Sequence, residues 1–286
     1  MLNLLRLFAA EDKGPAIHIA PGEIFKIGDI SITNSMIYGW ACALFILVLF
    51  VTVRHGATLR PKRGLIQFVE AGVEFIISLI TNSLGSREKA IKYAPYFAAI
   101  FFYVLLNNWF GLLPGVGEAV RVGETPLLRA FTADLNGTLA AAIVTMVLVQ
   151  TFAIKESGIL RHIRHYFSGS LKNPATYLFG ALEVFTEFTR IISLALRLFL
   201  NVVIGEIIIS VFAYLGSGAA PLTSLPFVAL ELMVAMLQAY IFVMLSVTYL
   251  AVAIKHDHAD EHASNDHESV PEESVPSGKG QMVKEN

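Results

Sequence analysis

The stretch that constrains this chain most is the run from Tyr177 to Leu215, about 39 residues with few polar interruptions and an arginine, Arg197, well inside it. A helix of that length spans roughly 58 Å, about twice the ~30 Å hydrocarbon core of a bilayer. Such a helix must tilt strongly, break, or leave the core in part. An arginine cannot shed its proton at accessible pH. In lipid it costs several kcal/mol unless it faces a partner or water. Arg197 therefore reads as a permanent charge held in a membrane for a purpose; a structural or snorkelling arginine is the alternative.

Composition agrees with a membrane setting. The chain has 286 residues, 55% hydrophobic and 15% charged, with mean hydropathy +0.62; soluble domains carry about 25% charge. The single Cys42 excludes an internal disulfide framework or a cysteine zinc site. The N-terminal MLNLLRLFAA falls short of a full signal-peptide core.

Taken in order, residues 1–34 are mixed polar and read as an external segment. Apolar runs at 35–53, 94–113, 135–154, 177–215 and 224–254 give five expected crossings. Residues 65–84 carry Gln67, Glu70, Glu74, Ser78 and Thr81 at steps of three or four, one polar stripe on a helix. Basic residues flank both ends of that segment (Arg60, Lys62 and Arg63; Arg87, Lys89 and Lys92). A spanning helix does not carry cations at both ends, so this one is expected in the interface. The loops after the first and third runs hold most of the cations, which points the N-terminus outward and the C-terminus to the cytoplasm or matrix. Residues 255–286, rich in Glu, Ser, His and Pro, read as a disordered tail. The expected fold is an all-α polytopic membrane protein whose two long C-terminal helices form an antiparallel hairpin.

The polar residues inside these runs form a pattern. Arg190, Ser193 and Asn201 lie near the face of Arg197, whereas Glu206, nine residues on, points about 180° away. Glu183, Glu187 and Arg190 crowd the inner end at pairing distance. Glu231, Gln238 and Tyr249 make one stripe on the last helix. An antiparallel hairpin turning near Gly218 sets Glu206 level with Glu231, Arg197 with Gln238, and Glu187 with Tyr249. Two carboxylates at one depth share protons in a low dielectric, which suits a relay in an outer path. Arg197 then stands between this outer path and an inner mouth. No intramembrane carboxylate of the chain pairs with it, so its partner is expected on another chain.

Other polar residues have plainer readings. Asn107 and Asn108 read as helix-packing groups, and Glu70 and Glu74 as the wet face of an interfacial helix. Asp134 reads as a helix cap, with an outer entry formed by Asp134 and Asn136 as the alternative. Asn136-Gly137-Thr138 matches a glycosylation pattern but sits at a span edge. The tail histidines read as solvated rather than metal-binding.

At these residues the chain resembles the a subunit of the F-type ATP synthase. SLALRLFLN followed by Gly205-Glu206 resembles the family's core motif, LQAYIFVMLSVTYL the segment after the last turn, and NNWFGLLPG and DLNGT further family patterns. The resemblance covers about residues 35–254. It implies a proton-translocating stator subunit in the bacterial plasma membrane or mitochondrial inner membrane, with no cofactor and no catalysis of its own. It implies partners in a ring of c subunits, b-type peripheral-stalk subunits and the remaining ATP synthase subunits. It implies that Arg197 faces the ring carboxylates between two half-channels, with Glu206, Glu231 and Gln238 on the outer side. Ser193, Asn201, Glu183 and Arg190 match positions at the interface or inner path. The family often pairs a carboxylate with a histidine where this chain has Glu206 and Glu231. No GxxxxGKS phosphate loop is present, and nothing points to nucleic acid. A self-contained proton-coupled secondary transporter is the competing class; it predicts inverted repeats, and no clear repeat is seen. A purely structural anchor leaves Arg197 unexplained.

Overall fold

The computed structural model describes residues 22–27, 30–56, 64–113, 116, 121–122, 125–126, 128–158 and 174–268. Strands β1 (Glu23–Ile27) and β2 (Ile30–Thr33) form an antiparallel hairpin. The reading of residues 1–34 as an external segment assigned no strand there. Asn34 closes it: its N–H donates to the Gly22 carbonyl at 3.0 Å and its Oδ1 accepts from the Gly22 N–H at 3.2 Å. Helix α1 (Asn34–Gly56) follows without a loop.

Helix α2 (Leu65–Leu84) has the bounds read from the sequence. Its buried face is Val69, Ile76 and Ile80. On a helical wheel that face lies opposite Gln67, Glu74 and Ser78, which are exposed. The polar stripe thus points away from the buried core, and its Glu74 pairs with Arg87 at the start of the next helix. Gly85 ends the helix at φ 70°, its N–H donating to Thr81 O at 2.8 Å; a residue with a Cβ is strained there.

Ser86 caps α3 (Arg87–Gly111), accepting from the Lys89 N–H at 3.4 Å. The helix therefore starts seven residues before the apolar run at 94–113. α2 and α3 pack closely because Gly72 lets the Phe102 ring approach; a Cβ on Gly72 would come 2.6 Å from Phe102 Cζ. Two short strands, β3 (Arg121–Val122) and β4 (Thr125–Pro126), pair between α3 and a 3-10 turn at Phe131–Ala133. Asp134 then caps α4 (Leu135–Ser157), accepting from the Asn136 N–H at 3.0 Å.

Helix α5 (Pro174–Gly216) runs 43 residues without a break. Of the three ways to fit so long a run into a bilayer, breakage is excluded. A 3-10 turn at Ser217–Ala219 leads to α6 (Ala220–Glu268). The last helix thus starts earlier than 224 and takes Pro226 inside it. Thr223 secures the tight turn: its hydroxyl donates to Phe212 O at 2.9 Å. At the other end the expectation of a disordered tail from 255 fails for the first residues, because the backbone stays helical to Glu268. This stretch holds Ala259 and Ala263 and meets no proline until Pro271. Residues 269–286 lie outside the described residues.

Five of these helices, α1 and α3–α6, are long and apolar enough to cross a membrane. Their shared core is aromatic and aliphatic: Tyr93, Phe97, Phe102, Leu198, Phe242 and Leu250 are each at most 1% exposed. The bundle has two distinct poles. At one, Arg87 pairs with Glu74 (3.0 Å), and Lys89 (3.3 Å) and Lys92 (2.7 Å) pair with Glu156, which also accepts from the Tyr93 hydroxyl. These bonds tie α2 to α3 and α3 to α4. At the other pole the Ser35 hydroxyl donates to the buried Asp134 carboxylate at 2.6 Å, tying α1 to α4.

Candidate functional site

The α5–α6 hairpin holds most of the polar residues singled out by sequence. Phe212 stacks on Phe227 at 3.8 Å, Gly205 lies against the Glu231 carboxylate, and the Arg190 guanidinium sits 4.8 Å over the Tyr249 ring. One antiparallel register runs through all three contacts. It sets Glu206 beside the level of Glu231, and Glu187, whose carboxylate accepts from Arg190 at 2.6 Å, beside Tyr249.

The two helices divide their faces. On α6, Glu231 (8% exposed) and Gln238 (5%) point into the seam, and Gln238 Nε2 finds no partner among the described residues. On α5 the inward residues are Leu194, Ala195, Leu198, Val202 and Val203. Arg197 is exposed, as is Ser193, and its neighbours on the outward face are Leu196, Leu200 and Ile204. Asn201 sits at the edge of the seam, half-buried, with its Nδ2 unpartnered by protein. Arg197 and Gln238 therefore share a level but not a contact: one faces out, the other in. Among the described residues Arg197 has no hydrogen bond or ion pair.

Glu206 is half-buried on the opposite flank of α5, within electrostatic reach of Tyr38 on α1. Asp134 is buried and acts as a cap, while Asn136, two residues on, is exposed. Glu183 lies on α5, but its side chain is outside the described residues. Asn107 and Asn108 are buried as packing residues should be. Asn107 Nδ2, however, donates to Tyr103 O on its own helix at 2.8 Å, and Asn108 finds no partner among the described residues.

Sequence reasoning used Gly205 only as part of a motif and passed over Ser35 and Tyr38. The signals were there in part. Gly205 falls opposite Glu231 in the hairpin register, and Ser35 and Asp134 both open apolar runs at one pole. Tyr38 lies within an apolar run and carries no local pattern that marks it.

These features define a multi-pass, predominantly α-helical membrane protein built around a long hairpin with a polar seam. The family described as ATP synthase A chain matches residues 36–251, and the chain belongs to that family: it is a component of an ATP synthase rather than a catalyst by itself. It is 33% identical over 255 residues to ATP synthase subunit a of Chlorobium phaeobacteroides, covering 84% of this chain and 70% of the relative. It is 35% identical over 219 residues to the subunit a of Campylobacter concisus (76% and 88%). It is 29% identical over 235 residues to that of Moorella thermoacetica (82% and 96%).

Proposed function

We propose that this chain is the proton-translocating stator subunit of a rotary ATP synthase. It lies beside a ring of c subunits, is held by b-type peripheral-stalk subunits, and has its basic pole in the cytoplasm or matrix. The observation that carries the reading is the placement of Arg197. A charge that cannot be neutralised lies exposed on a face it shares with Leu196, Leu200, Ile204 and the small Ser193. In a bilayer that arrangement requires a carboxylate from outside the chain.

On this reading Arg197 draws the proton off each passing ring carboxylate and keeps the outer and inner paths from joining. The outer path is lined by Glu206, Glu231 and Gln238, with Asn201 at its edge and Asp134 and Asn136 near the entry. The inner path is lined by Glu183, Glu187, Arg190 and Tyr249. Ser193 lies one turn from Arg197 on the ring-facing side. The supporting geometry is the division of faces: Gln238 and Glu231 within the seam, Arg197 and Ser193 outside it. The orientation rests on Arg54, Arg87, Lys89 and Lys92 gathering at one pole.

The test is ATP-driven acidification of inverted membrane vesicles carrying Arg197→Ala in a fully assembled complex. Loss of pumping with normal assembly is expected. Normal pumping would overturn the reading.

A further inference from the structure

Helix α2 leans on α3 rather than on α1, and a groove of about 450 Å³ is left between α1 and α2 at the basic pole. Its floor is apolar: Phe50 and Val53 come from the last turns of α1, Val69 and Val73 from α2. Its rim is charged, and with both signs. Arg54, exposed in the last turn of α1, stands on one side, and the half-buried Glu70 of α2 on the other. Glu74 also reaches the rim, but Arg87 neutralises it at 3.0 Å. Arg54 and Glu70 line the same groove without pairing with each other, and among the described residues neither has a hydrogen bond or ion pair.

Beside hydrocarbon, an unpaired charge of either sign is costly. A ligand that suits this groove brings an anion for Arg54, a cation for Glu70 and an apolar chain for the floor. An anionic lipid leaves Glu70 without a counter-charge, and a metal cation leaves both Arg54 and the floor unmatched. A phospholipid with an ethanolamine headgroup supplies all three. Its primary ammonium donates hydrogen bonds to a carboxylate as a lysine does. A choline headgroup cannot, because its nitrogen carries no hydrogen.

We infer that the α1–α2 groove binds one phosphatidylethanolamine molecule, with its phosphate on Arg54, its ammonium on Glu70 and an acyl chain along Phe50, Val53, Val69 and Val73. Binding of this kind needs only that the chain lie in a bilayer; it goes beyond the stator role and does not rest on it. Glu70, which reads from the sequence as merely wet, gains a ligand.

Photo-crosslinking tests this in the assembled complex, reconstituted in phosphatidylcholine vesicles with a trace of phosphatidylethanolamine that carries a diazirine on its acyl chain. Crosslinks should map to the four floor residues, and an excess of unlabelled phosphatidylethanolamine should compete them away. The same excess of phosphatidylglycerol should not. Arg54→Ala and Glu70→Gln should each lower the yield about tenfold, the worth of one charge-assisted hydrogen bond, whereas Glu70→Asp should keep most of it. Val48, exposed on the opposite face of α1, meets bulk lipid, and its yield should not change in any variant. Groove yields that ignore Glu70→Gln, or equal competition by phosphatidylglycerol, would overturn the ammonium contact. Absence of crosslinks in the groove, the result if a helix of another subunit fills it, would overturn the site altogether. Pumping is a separate readout: Arg197→Ala should leave the groove crosslinks as in wild type.

Discussion

Single residues decide how closely the helices approach. Gly205 has no Cβ, and the Glu231 carboxylate occupies the space where one would be. Gly205→Ala should push Glu231 off its present position in the seam. Proton pumping in vesicles should then fall several-fold while the assembled complex is still recovered. Gly72 is a different case, because the atom in the way belongs to the rigid Phe102 ring. Gly72→Ala should lower stability by about 1–3 kcal/mol through overpacking, read as a lower midpoint of thermal unfolding in detergent. Ser35→Ala takes the hydroxyl from one oxygen of the buried Asp134. That should cost about 1–3 kcal/mol, and the same assay should show the loss. Ser35→Thr, which keeps the hydroxyl, should restore most of it.

At the scale of elements, what was legible in the sequence followed from repetition. The polar stripe of α2 repeats every three or four residues over 20 residues, so its bounds could be read directly. The hairpin register could be read because Glu206 with Glu231, and Glu187 with Tyr249, recur at one spacing. Elements set by a single local interaction could not be read that way. The turn at Ser217–Ala219 is closed by one hydroxyl, Thr223, reaching back to Phe212, a contact that no periodic pattern marks. The extension to Glu268 was hidden because polar composition was taken for disorder, although a solvated helix needs no apolar face. The division that matters most for the site, Arg197 outward and Gln238 inward, depends on what each helix packs against. Periodicity gave only their shared level. The register itself can be checked chemically. Phe212→Cys with Phe227→Cys should cross-link on mild oxidation, whereas Tyr214→Cys, on an exposed position, with Phe227→Cys should not.

At the scale of the molecule, the two poles are fastened differently. The basic pole uses Glu156 between Lys89, Lys92 and Tyr93. Both lysines are more than a third exposed, so the pairs contribute little to stability and are screened by salt. Glu156→Gln should therefore leave the fold intact. Faster amide exchange over residues 87–93 should appear at low ionic strength and merge with wild type at high salt. The opposite pole uses the buried Ser35–Asp134 bond, which salt screens far less.

The unbroken length of α5 also bears on how the membrane's electric field is divided. Its 43 residues make roughly 65 Å of helix. Were all of it tilted to fit within a ~30 Å core, each residue would advance only about 0.7 Å along the membrane normal. Arg197 and Glu206, nine residues apart, would then be separated by about 6 Å in depth, near a fifth of the core. At 100 mV that is worth about 0.5 kcal/mol per charge, against ~2.3 for the full crossing. On the proposed function, most of the voltage then falls along the approaches on either side of this pair, and a proton passing near Arg197 crosses little of the field.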